Sequence, residues 1–314
     1  MPGCRVAQIT TGNLATWQLG NPGVSVARLN IRKTYKLYIN GEFPRTESGR
    51  FYAIKGKGGE LLANACRGSR KDLRNAVQAA RKAFAGWSGK TAFNRGQILY
   101  RLAEVCESRS AELVDELRRQ GSPAAEARRE VTAVTDRWVY YAGWSDKYPQ
   151  VFGSVNPVAG PYYNFTVPEP TGVVGVVAPE EPSLLGLVSR IAPAIVGGNT
   201  VVAITSESRP LAAITLGEIF ETSDVPAGVV NLISGLKSEL VPWLASHMDV
   251  NAIDTTGVAE SAMAGVQKTA AENVKRVVHF NAARIGWDDA TRSQSPYAIF
   301  EFQEMKTVWH PIGM

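Results

Sequence analysis

Four short runs, GVVGVVA at 172–178, NTVVAI at 199–204, GVVNLIS at 228–234 and VNAIDTT at 250–256, are β-branched and apolar at nearly every position. Successive residues of a strand face opposite sides, so strands apolar on both sides must be covered on both. Helical stretches at 184–197, 210–222, 236–246 and 258–273 separate and follow them. Such alternation specifies a doubly wound, Rossmann-like parallel sheet of the α/β class. Ligands of these sheets sit beyond the carboxyl ends of the strands. A site would therefore lie on loops 179–183, 205–209, 234–237 and 256–262, although none of them carries a GxGxxG motif.

The preceding sequence predicts a different texture. Residues 34–41 and 60–66 alternate like short strands, with Asn40-Gly41 as a hairpin signal. Ser69 and Asp72 have capping-box spacing and open a helix through Leu73, Ala76, Val77, Ala80 and Phe84. A second helix places Ile98, Leu99, Leu102, Cys106, Leu113 and Leu117 on one face, and a third opens at Ser122-Pro123. The helical period ends at Tyr148, and a hairpin is predicted over 149–170 with too little apolar area to stand alone. Residues 295–312 are again strand-like. The resulting division is an arm at 1–33, extended or disordered, a cofactor-type domain at 34–290 interrupted by the hairpin, and a C-terminal strand at 291–314.

Charge and cysteine content narrow the function. Lys and Arg (34) exceed Asp and Glu (29) by 5, without a long basic run, so a solvated surface is expected and not a nucleic-acid interface. Cys4, Cys66 and Cys106 are odd in number and far apart, which gives no disulfide framework and fits a reducing, cytoplasmic setting. Cys106 lies on the apolar stripe and is expected as a core residue. No apolar run is long enough to span a bilayer, and residues 1–17 lack the features of a signal peptide. His247, His279 and His310 lie apart from one another, so no metal site is predicted.

The strings YINGEF (38–43), AARKAFAGWS (79–88), YRLAEVCESR (100–109), YYAGWSDK (140–147), GVVGVVAP (172–179), IAPAIVGGNTVV (191–202), PAGVVNLISG (226–235) and EFQEMKTVW (301–309) occur in one order. In that order and spacing the chain resembles the aldehyde dehydrogenase superfamily, over residues 34–284 and 296–311. Among its branches it is most similar to the degenerate half of two-part, family 16 type members. The resemblance implies a cofactor domain, a catalytic domain carrying a cysteine nucleophile, and an oligomerisation hairpin completed by the C-terminal strand. Here the chain passes from Val278 to Ser295 where the catalytic segment would lie, and no cysteine follows Cys106.

Position by position, the resemblance implies lost chemistry. Glu180 and Glu181 stand at the family's Trp and Asn, and a carboxylate at the Asn position would repel the oxyanion that the amide stabilises. Phe280 stands at the family's general base. A Glu180–Glu181 dyad sharing a proton is a second reading, with no further chemical group placed beside it. For the cofactor, Ile204 replaces a lysine, Glu207 keeps an acid, Gly235 keeps a small residue at the adenine cleft, and Gly257 keeps the first glycine of the phosphate loop while Val258 loses its hydroxyl. These residues leave NAD binding open and not required. The expectation is a non-catalytic subunit that pairs with a full-length aldehyde dehydrogenase, or with itself; activity within a complex and a nucleotide sensor are the alternatives.

Overall fold

The computed structural model describes residues 33–313, so the predicted arm at 1–33 lies outside the described residues except for Lys33. Two N-terminal strands, β1 (Phe51–Lys55) and β2 (Leu61–Cys66), form an antiparallel hairpin. Helices α1 (Arg70–Ser88), α2 (Ala92–Ser108), α3 (Ser110–Arg119) and α4 (Ala124–Trp144) follow. Ser69 caps α1 in a reciprocal box: Asp72 N–H donates to Ser69 Oγ at 3.2 Å, and Ser69 N–H donates to Asp72 Oδ2 at 2.8 Å. The box satisfies two amides that have no partner inside the helix.

Beyond α4 come α5 (Tyr148–Phe152), β3 (Ser154–Asn156), β4 (Tyr162–Pro170), β5 (Val173–Val177), α6 (Ser183–Val196), β6 (Thr200–Ile204) and α7 (Leu211–Glu221). Then follow β7 (Val230–Ile233), α8 (Lys237–Ser246), β8 (Ala252–Asp254), α9 (Glu260–Ala271) and β9 (Arg276–Val278), before α10 (Ala290–Ser293), α11 (Tyr297–Phe300) and β10 (Gln303–Pro311). The five parallel strands lie in the order β7-β6-β5-β8-β9. Alternation along them divides the core. Val173, Val177, Val202 and Ile204 face α1, α8 and α9, whereas Val174, Val176, Val201 and Ala203 face the layer that contains α2, α4, α6 and α7. Every residue of α6 is buried, as expected for a helix that is apolar around most of its circumference.

The second sheet, β10-β4-β3, is antiparallel, and β10 pairs with β4 from Gln303↔Pro170 to Pro311↔Tyr162. Val155, Tyr162, Tyr163, Met305 and Trp309 are exposed on and beside it. Asn199 fixes the return of the chain: it accepts from Gly172 N–H and donates to the carbonyls of Ala194 and Phe302.

Four predicted boundaries are corrected. Residues 34–41 form isolated bridges and a turn, with Asn40 and Gly41 at φ 55° and 74°, because the segment spends its bonds on Leu232 and Glu42 and not on a strand partner. The predicted second helix is two helices meeting at Arg109, since one apolar stripe continues across the break. Residues 148–152 are helical, so the hairpin begins at Ser154. Residues 290–300 hold two short helices, which confines the C-terminal strand to Gln303–Pro311.

Candidate functional site

The order of the parallel sheet reverses between β5 and β8, the place where such sheets receive ligands. A cleft of about 1220 Å³ opens there. Its walls include Val241, Pro242 and Ala245 of α8 and Ala262, Gly265 and Val266 of α9, with β1 along one side. Glu207 and Gly257 line it, while Gly235 does not: a Cβ there would meet Leu240 at 2.9 Å and Gly68 N at 3.0 Å, so this glycine serves the approach of two chain segments. Gly257 also answers to packing, because its Cβ would lie 1.9 Å from Ala178 O.

Where the cleft meets the loop after β5, Glu180, its side chain 43% exposed, is held by many donors. Its carboxylate accepts from Ser206 Oγ at 2.8 Å, Ser208 Oγ at 2.6 Å, and the N–H groups of Glu207 and Ser208 at 3.1 and 3.0 Å. Lys237 Nζ completes the set at 2.5 Å. Partial burial raises the carboxyl group's pKa, but the Lys237 charge and the hydrogen bonds together outweigh it and hold the group down at about 2. The same ammonium donates to Ala178 O at 2.6 Å and Gly257 O at 3.3 Å, which places it across the crevice between β5 and the loop after β8. Glu207 Oε2 accepts the Lys237 N–H at 2.8 Å and anchors the start of α8. Lys237 stands in a loop singled out in the sequence, but nothing local marks it, because its partners come from three other loops.

Glu181 turns away. Its side chain is 64% exposed and pairs with Arg209 at 2.8 Å, so each member of the predicted carboxylate pair has its own cation. The amides that open α6 are occupied: Leu184 and Leu185 donate to Glu130 of α4 at 2.8 and 3.0 Å. At the predicted general-base position, the Phe280 ring lies 3.8 Å beneath the Arg190 guanidinium, and Arg190 pairs with the fully buried Asp254 at 2.6 Å. An aromatic face and an ion pair activate no water there. Burial pushes the Cys106 thiol up to about 12, consistent with an inert core residue. Among the described residues no group of three or more His, Cys, Asp or Glu side chains could hold a metal, and no helix is long and apolar enough to cross a membrane.

The comparisons with known proteins bear on this geometry. Residues 44–280 match the profile described as the aldehyde dehydrogenase family. The chain belongs to that family. Aldehyde dehydrogenase family 2 member B4, mitochondrial, of Arabidopsis thaliana is 33% identical over 296 residues, which cover 93% of this chain and 52% of the relative. Human retinal dehydrogenase 2 is 35% identical over 255 residues, or 79% of this chain and 48% of the relative. An aldehyde dehydrogenase of Bacillus cereus, solved as an NAD⁺ complex, superposes with a TM-score of 0.74 at 28% identity, covering 79% of this chain and 50% of that one. The chain therefore spans about half the length of the relatives it matches.

Proposed function

We propose that this chain is a non-catalytic aldehyde dehydrogenase-like subunit that pairs with a catalytically complete aldehyde dehydrogenase and serves its assembly or regulation. The observation that carries this reading is the β10-β4-β3 sheet. Its outer strand, β10, is paired on one side only among the described residues, and Tyr162, Tyr163 and Trp309 stand exposed beside it. An unpaired strand edge flanked by aromatic side chains is a surface built to be covered, and an obligate interface of this kind buries about 2,000 Å² or more. The family resemblance supports the same reading: it implies an amide donor where Glu181 stands and a general base where Phe280 stands, and β9 leads to β10 through a short helical link without a cysteine.

Affinity capture of the tagged chain from its native extract, with mass spectrometry of what is retained, tests the proposal. A full-length aldehyde dehydrogenase in stoichiometric amount supports it, and recovery of the chain alone or only with itself contradicts it. The second reading is a nucleotide-binding sensor, favoured by the cleft between α8 and α9. The apolar walls from α8 and α9 suit a flat base, and Thr256 Oγ1, buried and without a hydrogen-bond partner, borders the cleft. The Glu180–Lys237 pair at the loop after β5 does not suit the phosphates of an NAD molecule.

A further inference from the structure

The donors around Glu180 have the composition of an anion site. Two serine hydroxyls, two successive backbone N–H groups and one ammonium converge on a single carboxylate, which is the arrangement with which loops hold phosphate. We propose that Glu180 is a built-in ligand: its carboxylate fills an anion site at the crevice of the sheet and so excludes phosphate-bearing nucleotides from the adjoining cleft.

The valences close without an outside anion. An ammonium has three N–H donors, and those of Lys237 are taken by Glu180, Ala178 O and Gly257 O. Ser206 is fully buried and its hydroxyl is committed to Glu180. Two further helix starts on this edge are also occupied, that of α6 by Glu130 and that of α8 by Glu207. A phosphate that uses the donors around Glu180 must therefore displace a tethered carboxylate whose effective concentration is high because it is part of the same chain. It would also lie against the negative charges of Glu180 and Glu207. The apolar walls from Val241 to Val266 impose no such penalty on an uncharged flat ligand.

This inference does not depend on the subunit proposal, and it narrows the sensor reading to an uncharged ligand such as a nucleoside. The test is calorimetry on the full chain with adenosine, ADP, NAD and inorganic phosphate, for the wild type, Glu180→Ala and Glu180→Gln. In the wild type, ADP and NAD should bind no tighter than adenosine; a gain of about tenfold or more from the phosphates would show that the crevice accepts them with Glu180 in place and would overturn the proposal. Vacating the site should tighten ADP and inorganic phosphate by about tenfold or more, the scale of one added charge-assisted contact. The glutamine variant, which removes the charge but keeps the volume, serves if the alanine variant fails to fold, and should show a smaller gain in the same direction. Variants that bind ADP and phosphate no better than the wild type overturn the proposal. So does a gain for ADP without any gain for phosphate, which would mean added room and not a vacated anion site.

Discussion

Lys237 Nζ lies 2.5 Å from a carboxylate oxygen of Glu180 and also donates to Ala178 O and Gly257 O, so one ammonium ties the start of α8 to the loops after β5 and β8. The family architecture leaves a crevice at this point for a ligand. In this chain Glu180 and Lys237 bridge the crevice where the loop after β5 meets α8, beside a cleft that stays open.

Glu180 sets an acid dependence. Its folded value of about 2 lies below the unfolded range of about 4.3, so its contribution is complete above the unfolded value and is lost as pH falls toward 2. Urea unfolding of wild type and Glu180→Gln from pH 2 to 7 should show a stability gap that is full above about pH 5 and closes on acidification. A gap independent of pH would mean that the carboxylate's charge stabilises nothing.

Gly257 is required by space. An added Cβ would sit 1.9 Å from the Ala178 carbonyl oxygen, which is backbone and cannot rotate aside. Gly257→Ala should destabilise the chain by about 1–3 kcal/mol, as overpacking does, and should separate the loop from β5. Denaturant unfolding checks the first effect; a variant as stable as wild type refutes the close approach.

The Arg190–Asp254 pair is buried on both sides, with side chains 5% and 0% exposed. Removing one partner strands the other charge, so Asp254→Ala should cost about 3–5 kcal/mol. Replacing the pair by Asp254→Leu with Arg190→Met should recover much of that loss. Thermal and denaturant unfolding of the single and double variants measure both. Equal losses in the two would show that packing against Phe280, and not charge, dominates at this position.

No aldehyde-dependent NADH should form with the purified chain, and restoring Glu181→Asn and Phe280→Glu together should not create it, because no nucleophilic thiol follows Cys106. Absorbance at the reduced-nicotinamide band decides this. Turnover by the wild-type chain would contradict the proposal that it is a subunit without chemistry of its own.

The parallel sheet was legible because burial on both faces leaves a direct trace: Val173 and Val174 face opposite layers and both are apolar. Helix starts were legible where a cap is local, as at Ser69. The break at Arg109 was not, since α2 and α3 share an apolar stripe and only the backbone turns. The site was legible by position but not by role. Glu180 and Glu181 are neighbours in sequence, yet one is held by Ser206, Ser208 and Lys237 and the other pairs outward with Arg209. Lys237 meets Ala178 across 59 positions of chain, a distance over which no local pattern carries information.

Sedimentation velocity of the chain mixed with a full-length aldehyde dehydrogenase recovered from the same extract tests the central claim most directly. A heavier species containing both chains is expected, lost when Trp309→Glu places a charge beside the β10 edge, where the native side chain is 59% exposed. A chain that sediments as a stable monomer in the presence of excess enzyme, with wild type and Trp309→Glu indistinguishable, would contradict it.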